Sequence, residues 1–183
     1  AREARHWGDF VPEMQKALPE DQILTLDLPG AGEFCDYDFP LDVSQAVKFL
    51  REKLSARSPQ HPVYLLAVSL GGMVALEWMR SYPQEVSGGV VMNSSLSNLS
   101  PFYQRLRWEV YGLFFTKIIF LRGAERERQI LSVISQQTKQ HEIIAQTWAQ
   151  WNQESPMRLT NLLRQLYAAA HSRLTEAVQQ PCL

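Results

Sequence analysis

Hydrophobic positions along the first half of the chain follow two alternating patterns. Compact apolar runs, each with the length of a buried strand, occupy residues 22–28, 63–69 and 87–93. Between these runs, apolar residues recur every three or four positions, which predicts helices over about 4–17, 42–57 and 70–82. Asp42 and Gln45 form a plausible capping box for the second helix. Such alternation predicts an α/β fold, a parallel sheet with helices on both faces.

After Ser95 the pattern becomes continuously helical, with helices predicted near residues 100–121, 123–137, 139–153 and 157–179. Two apolar stripes run along these helices. The first contains Ile144, Trp148 and Trp151, and the second contains Leu159, Leu162, Leu163, Leu166 and Tyr167. We therefore divide the chain into an α/β core portion at 1–96 and an all-helical segment at 97–180.

The clearest chemical signal lies between the apolar run ending at Val68 and the helical pattern beginning at Met73. Ser69 stands at this junction and is followed by Gly71 and Gly72. A serine between a strand and a helix exposes its hydroxyl at a sharp turn and places it beside the amides of the helix N-terminus. The alternative is an ordinary strand-to-helix turn in which the serine only caps the helix.

Further motifs appear in a consistent order around this turn. They are Arg5-His6-Trp7, the loop Asp27-x-Pro29-Gly30-x-Gly32, the turn motif Ala67-x-Ser69-x-Gly71, the helix end at 81–86 and the run at 88–94. With these motifs the chain resembles the α/β-hydrolase superfamily, closely over residues 1–95. Ala67 stands where the usual G-x-S-x-G motif has its first glycine.

The resemblance implies a serine hydrolase that cleaves a carboxylic ester or a thioester through an acyl-enzyme. Ser69 would be the nucleophile, and the backbone N–H of Leu70 would stabilise the oxyanion. The helical segment would be a lid over an apolar acyl pocket. Candidate residues for lining that pocket are Phe102, Trp108, Tyr111, Phe114, Phe115 and Trp148. This chemistry needs no metal or organic cofactor, and we expect none.

A serine hydrolase also needs a base and an acid, and in this superfamily both follow the lid in the sequence. The expected strand would begin at Pro181-Cys182-Leu183, and residues 93–95, an alternative acid position, contain no carboxylate. Of the four histidines, His171 is the best candidate base, ahead of His6, His61 and His141. The superfamily's oxyanion loop would precede Ala1. We therefore expect an incomplete chain that is inactive alone.

Other activities remain open at this point. The same scaffold supports acyl transfer, C–C bond hydrolysis and cofactor-free peroxidation. A binding protein that kept the fold without the catalytic residues is a further alternative. Oligomeric state also stays open, because an incomplete sheet could associate through its edges.

The balance of charge argues against nucleic acid as a partner, because the net charge is −1. The two parts of the chain differ, however. Residues 1–100 contain 8 basic and 13 acidic residues, whereas residues 101–183 contain 10 and 6. The simplest explanation is solvated helix faces. The alternative is a basic lid that meets an acidic carrier or substrate.

Cysteine content and hydropathy bear on the compartment. Cys35 and Cys182 are far apart in the sequence and have no metal-binding or redox spacing. The most apolar stretch, at 110–121, is shorter than the roughly 18 residues that a bilayer span requires. We therefore expect a cytoplasmic protein with no stable membrane insertion.

Overall fold

A computed structural model describes residues 3–57, 62–105, 112, 120–135 and 140–183. Its centre is a parallel sheet of two strands, β1 at Val63–Val68 and β2 at Val86–Met92. Leu65 pairs with Gly89 and Val68 pairs with Met92. Both strands lie where the apolar runs predict them.

A third segment extends this sheet beside β2. The Leu183 N–H donates to the Gly89 carbonyl at 3.0 Å, and the Val91 N–H donates to the Leu183 carbonyl at 2.8 Å. The bridge between Gly89 and Cys182 is parallel. Strand pairing therefore begins at Pro181–Leu183, where the sequence predicts the start of another strand.

The helix α3, Leu70–Ser81, follows β1 directly and covers one face of the sheet. A Cβ atom at Gly89 would lie 3.2 Å from Met79 Sδ, which shows how closely the helix approaches β2. Residues of the opposite face alternate with these, as expected for a strand. That face exposes the side chains of Tyr64, Val68, Val90 and Met92.

The main hydrophobic core lies where the helix α2, Val43–Ser55, packs on α3. The Asp42 carboxylate caps α2 by accepting the Ser44 N–H at 2.8 Å. Fully buried side chains from the two helices include Val47 and Met79. Glu85, in the turn before β2, accepts hydrogen bonds from Arg51 of α2 and from Trp78 Nε1 of α3.

The first predicted helix is divided in two. A short 3-10 helix covers Ala4–Trp7, and the α-helix α1 covers Phe10–Ala17. Gly8 separates them with a positive φ of 52°, a conformation that ends a helix and that glycine adopts without steric cost. The apolar spacing is preserved across this break, which is why the pattern alone predicts one continuous helix.

The prediction of a strand at 22–28 is wrong, because these residues form no regular ladder among the described residues. An apolar run reports burial, but a strand also needs a neighbouring strand for its N–H and C=O groups. The segment is instead held by other contacts. The Arg57 guanidinium, for example, donates to the Thr25 carbonyl at 3.3 Å.

The helical part of the chain contains α4 at Phe102–Arg105, α5 at Gly123–Ile134, α6 at His141–Glu154 and α7 at Leu159–His171. The helix predicted to reach residue 179 therefore ends at His171. Residue 172 takes an extended conformation, and the chain continues without helix toward Pro181.

The chain divides into two compact units. One comprises Ala1–Leu99 and Met157–Leu183, and the other comprises Ser100–Pro156. Residues 157–180, which the sequence pattern groups with the lid, thus pack within the first unit. In the second unit α5 and α6 pack together and are joined by the ion pair of Arg128 and Glu142. Over the part of the chain described, no helix is long and apolar enough to cross a bilayer.

Candidate active site

The turn between β1 and α3 has an unusual backbone conformation at Ser69, with φ 56° and ψ −122°. Residues other than glycine rarely adopt a positive φ, and such a conformation costs about 1–3 kcal/mol. Strain of this kind persists only where the surrounding structure enforces it, and it concentrates at functional sites. Ser69 is also solvent-exposed. The sequence prediction of a sharp, serine-bearing turn therefore agrees with the geometry.

Hydrogen bonds on both sides of Ser69 enforce this conformation. The Ser69 N–H donates to the Met92 carbonyl at the end of β2, at 2.9 Å. The Ser69 carbonyl accepts the Gly72 N–H at 2.9 Å and the Met73 N–H at 3.3 Å. It also accepts the Ser94 hydroxyl at 2.9 Å. The turn is thus tied to the first turn of α3 and to the end of β2.

The closest approach of helix and strand in this turn occurs at Gly72. A Cβ atom there would lie 2.7 Å from both Val91 Cγ1 and Ser94 Cβ, which the packing does not allow. A Cβ atom at Gly71 would lie 3.8 Å from Ala67 Cβ, an ordinary contact distance. The alanine at position 67 is therefore compatible with the turn, and Gly72 is the glycine that the fold requires.

Leu70, the predicted oxyanion donor, is the first residue of α3. The N–H groups in the first turn of a helix have no acceptor within the helix, so they are available to an anion. The Leu70 side chain is buried in the core and fixes the residue in place. Its role toward an oxyanion stays a prediction.

His6 and His171 each have a ring nitrogen close to a backbone carbonyl. His6 Nδ1 lies 3.1 Å from the Glu3 carbonyl. His171 Nδ1 lies 2.8 Å from the Tyr167 carbonyl, and its ring stacks on Tyr167. His171 lines a cavity of about 530 Å³ with Glu77 and Arg80, and Ser69 is not among the lining residues.

Two further histidines are present in the chain. His141 begins α6 in the second unit, and His61 lies outside the described residues. Within the described residues, no hydrogen bond joins a histidine to the Ser69 hydroxyl. A base for Ser69 is therefore not assigned among the four histidines.

The predicted pocket residues are only partly described. Trp148 is half-buried on α6, and Phe102 begins α4, although its side chain lies outside the description. Trp108, Tyr111, Phe114 and Phe115 also lie outside the described residues. The assignment of these aromatic residues to an acyl pocket stays a prediction.

The sequence reasoning missed the structural role of Asp27, in the loop before Gly30. Its carboxylate is buried and accepts the N–H groups of Ala4 at 2.5 Å and Glu33 at 2.9 Å. A Cβ atom at Gly32, whose φ is 50°, would lie 2.0 Å from Asp27 Oδ2. Burial raises the pKa of Asp27, although both amide hydrogen bonds act to lower it. Asp27 and Gly32 of the loop motif are therefore packed directly against each other.

A second residue that the pattern did not reveal is Asn161 on α7. Its side chain is completely buried and joins the helix to the loop at 37–39. The Phe39 N–H donates to Asn161 Oδ1 at 2.8 Å, and Asn161 Nδ2 donates to the Tyr37 carbonyl at 2.9 Å. In the sequence, Asn161 is a polar residue on the side of the predicted helix that faces away from the apolar stripe. This position gives no sign that its side chain is buried.

These features can be compared with known proteins. The model of the alpha/beta hydrolase family matches residues 2–178. The chain belongs to the alpha/beta hydrolase family. The parallel sheet and the flanking helices are thus the family's fold, as the sequence motifs predict.

Two curated relatives match part of the chain. It is 35% identical over 81 residues to the pimeloyl-[acyl-carrier protein] methyl ester esterase of Xanthomonas oryzae pv. oryzae. It is 35% identical over 72 residues to protein phosphatase methylesterase 1 of Candida albicans. The matches cover 44% and 38% of this chain, and only 30% and 20% of those proteins. The chain therefore aligns with less than a third of either relative.

Solved structures share the fold over almost the whole chain. BpoC from Mycobacterium tuberculosis H37Rv aligns with 98% of this chain and 67% of its own, with a TM-score of 0.63 and 21% identity. A lipase-esterase related protein from Clostridium acetobutylicum ATCC 824 aligns with 95% and 67%, with a TM-score of 0.60 and 16% identity. At these identities the likeness concerns the fold alone.

Proposed function

We propose that Ser69 is the nucleophile of a hydrolase that cleaves a carboxylic ester or a thioester through an acyl-enzyme. The observation that carries the proposal is the backbone of Ser69, held at φ 56° on the apex between β1 and α3. This strained turn is the geometry in which alpha/beta hydrolases present a serine hydroxyl. A plain helix cap would not need it, because capping residues lie in the extended region at no such cost.

In the proposed reaction, the Ser69 oxygen attacks the ester carbonyl carbon while a base removes the hydroxyl proton. The negative charge on the carbonyl oxygen is stabilised by the Leu70 N–H, a contribution of about 2.7–4 kcal/mol per donor in measured cases. The intermediate then expels the alcohol or thiol, which takes up the proton. Water releases the acid from Ser69 in the second half-reaction.

The names of the two curated relatives suggest one kind of ester as a substrate. Both describe enzymes that act on methyl esters, one carried on an acyl-carrier protein and one on a protein phosphatase. We therefore include methyl esters of carboxylic acids in the substrate class. We place the apolar acyl group against the lid aromatic residues, Trp148 among them. An acidic carrier that delivers the substrate is a secondary proposal, because solvated helix faces explain the excess of basic residues in 101–183 more simply.

A covalent probe tests the nucleophile. The full-length gene product and its Ser69→Ala variant are incubated with a fluorophosphonate, and the labelled peptide is mapped by mass spectrometry. We expect one label, on the peptide that contains Ser69, and none on the variant. Equal labelling of the variant, or a folded wild-type protein that takes up no label, would contradict the proposal.

The products identify the reaction. A methyl ester and a p-nitrophenyl butyrate are assayed with water alone, with an added alcohol and with peroxide. Hydrolysis to the free acid supports an esterase. Ester exchange or peracid formation as the main outcome would favour the acyltransferase or peroxidase alternative. Binding without turnover would favour a non-catalytic protein.

A further inference from the structure

We propose that Ser94 is a positioning residue for the nucleophile, because its hydroxyl holds the peptide group between Ser69 and Leu70. The inference rests on the proposed function of Ser69 and adds the group that fixes its backbone. The hydroxyl donates to the Ser69 carbonyl at 2.9 Å from the loop that follows β2. It touches no substrate atom in this role and acts only through Ser69.

The bond from Ser94 differs in kind from the other bonds to the same carbonyl. The Gly72 and Met73 N–H groups also donate to the Ser69 oxygen, but they belong to α3, the helix that Ser69 itself begins. A carbonyl oxygen has two lone pairs, so the hydroxyl can take one of them while the two helix amides share the other, Gly72 at 2.9 Å and Met73 at 3.3 Å. Ser94 is thus the described donor that fixes this carbonyl to a different element of the fold.

Fixing the carbonyl also fixes the predicted oxyanion donor. The Ser69 carbonyl and the Leu70 N–H belong to one peptide group, which is planar and trans. Their directions are therefore coupled, and a rotation of the carbonyl swings the N–H by the same angle. The Ser94 hydroxyl thus helps to fix both the ψ angle of Ser69 and the direction of the Leu70 N–H, together with the helix amides.

The packing around Ser94 shows why it can act as a fixed point. Asn93 has a positive φ of 49°, which turns the chain sharply at the end of β2. Ser94 then lies against the first turn of α3, where a Cβ atom on Gly72 would be 2.7 Å from its own Cβ. The N–H of Ser69 is bound to Met92 in the same region. Both peptide groups that flank the Ser69 Cα are therefore held by residues 92–94.

The experiment compares Ser94→Ala with Ser55→Ala in the full-length gene product. Ser55 is a matched control because its hydroxyl also donates to a carbonyl, that of Glu52, but within α2. Fluorophosphonate labelling of Ser69 is resolved into the maximal rate and the half-saturating concentration. We expect Ser94→Ala to lower the maximal rate by about tenfold, because small displacements of reacting groups reduce rates strongly. The half-saturating concentration should change by less than about twofold, and Ser55→Ala should change neither.

Backbone amide exchange separates positioning from general stability. We expect the Gly72 and Met73 amides to exchange at least about fivefold faster in Ser94→Ala, while the Met79 amide in the core keeps its rate. Acceleration at Met79 by the same factor would show global destabilisation and overturn the inference. An unchanged labelling rate in Ser94→Ala would overturn it as well.

The same measurements separate this inference from the proposed function. If wild-type protein takes up no label, the nucleophile proposal fails, and exchange still decides whether Ser94 holds the turn. Faster exchange confined to the turn would then support a positioning role for the backbone alone. Unchanged exchange at Gly72 and Met73 would overturn the role of Ser94 whatever the labelling shows.

Discussion

The strained conformation of Ser69 must be balanced by contacts that the relaxed turn would lose. Its cost of about 1–3 kcal/mol is comparable to the contribution of two or three hydrogen bonds, at about 1 kcal/mol each. The bonds to Met92, Gly72 and Ser94 supply that number. The conformation therefore depends on every one of them, and on a helix that can come close enough to make them.

The two glycines after Ser69 provide a test of that close approach. We expect Gly72→Ala to lower the free energy of unfolding by about 1–3 kcal/mol, because its Cβ would overlap Val91 and Ser94. Gly71→Ala is the matched control. Its Cβ meets only Ala67 at 3.8 Å, and alanine favours a helix by about 0.5–1 kcal/mol. Urea unfolding of both variants measures the difference, and equal effects would contradict this account.

At the scale of elements, α7 packs in the first unit through polar contacts as well as through the buried Ala168. Asn161 and the guanidinium of Arg164 both bind the backbone of Phe39, whereas Leu159 and Leu163 are exposed. The loop at 37–39 presents backbone N–H and C=O groups to the helix, and only hydrogen-bonding side chains can satisfy these groups when they are buried.

The Asn161 contact predicts a large effect for a small substitution. We expect Asn161→Ala to lower the free energy of unfolding by about 1–3 kcal/mol, since it leaves the buried Phe39 N–H without its partner and removes the bond to the Tyr37 carbonyl. The neighbouring Thr160 is exposed, so Thr160→Ala should change stability by less than about 0.5 kcal/mol. Thermal unfolding of the two variants decides the matter. A small effect at Asn161 would mean that the loop rearranges to meet water.

Glu85 connects three elements and predicts a dependence on pH. Hydrogen bonding from Arg51 lowers the pKa of Glu85, and the Trp78 N–H acts in the same direction. A carboxyl with a lowered folded-state pKa stabilises the protein above its unfolded pKa, which is about 4.3. This stabilisation is lost as the pH falls through the folded-state pKa.

We therefore expect Glu85→Gln to lower the free energy of unfolding by about 1 kcal/mol at pH 7, a value reduced for partial exposure. The difference from wild type should shrink as the pH falls below the unfolded pKa and disappear once the pH is below the lowered folded-state pKa. Glu52→Gln is the control, because Glu52 is exposed and pairs only loosely with Lys53. Unfolding measured from pH 3 to pH 8 tests this. A difference that does not shrink between pH 5 and pH 3 would show that charge is not the cause.

The sequence predicts an element well when the residues that pack against it lie nearby in the same stretch of chain. β1, α3 and β2 form a continuous strand-helix-strand unit, so their apolar positions meet one another. The run at 22–28 has the same apolar character but no described strand to pair with, and it stays irregular. Asn161 escaped prediction for a related reason, because its partners at 37–39 are 122 or more residues away.

At the scale of the whole molecule, the site is described less completely than the fold. Ser69 and Leu70 lie where the motif predicts them, because a strand, a turn and a helix are local features. A base and an acid come from distant positions in this family, and spacing along the chain does not reveal them. The positions of the aromatic residues predicted for the lid depend on how the second unit folds. A local sequence pattern does not reveal this.

The 183-residue chain on its own provides a test of whether Ser69 has a base. We expect it to hydrolyse p-nitrophenyl butyrate no faster than its Ser69→Ala variant, because no described histidine is bonded to the Ser69 hydroxyl. A serine without a base remains a protonated, weak nucleophile. Steady-state turnover by the purified chain is the measurement. Activity that Ser69→Ala abolishes would contradict the prediction and point to His171 as the base.

Residues 97–98, near the end of the first stretch of the first unit, are joined by hydrogen bonds to residues 172–174. The Ser97 N–H donates to the Ser172 carbonyl at 2.7 Å, and the Asn98 side chain bonds to both the N–H and the carbonyl of Leu174. The two ends of residues 99–171 are therefore joined by hydrogen bonds. Doubling the length of a flexible loop whose ends are already joined costs only about 0.6 kcal/mol of closure entropy. Insertions and deletions within Ser100–Pro156 should therefore cost little closure entropy, because the chain on both sides of this segment is held in the first unit.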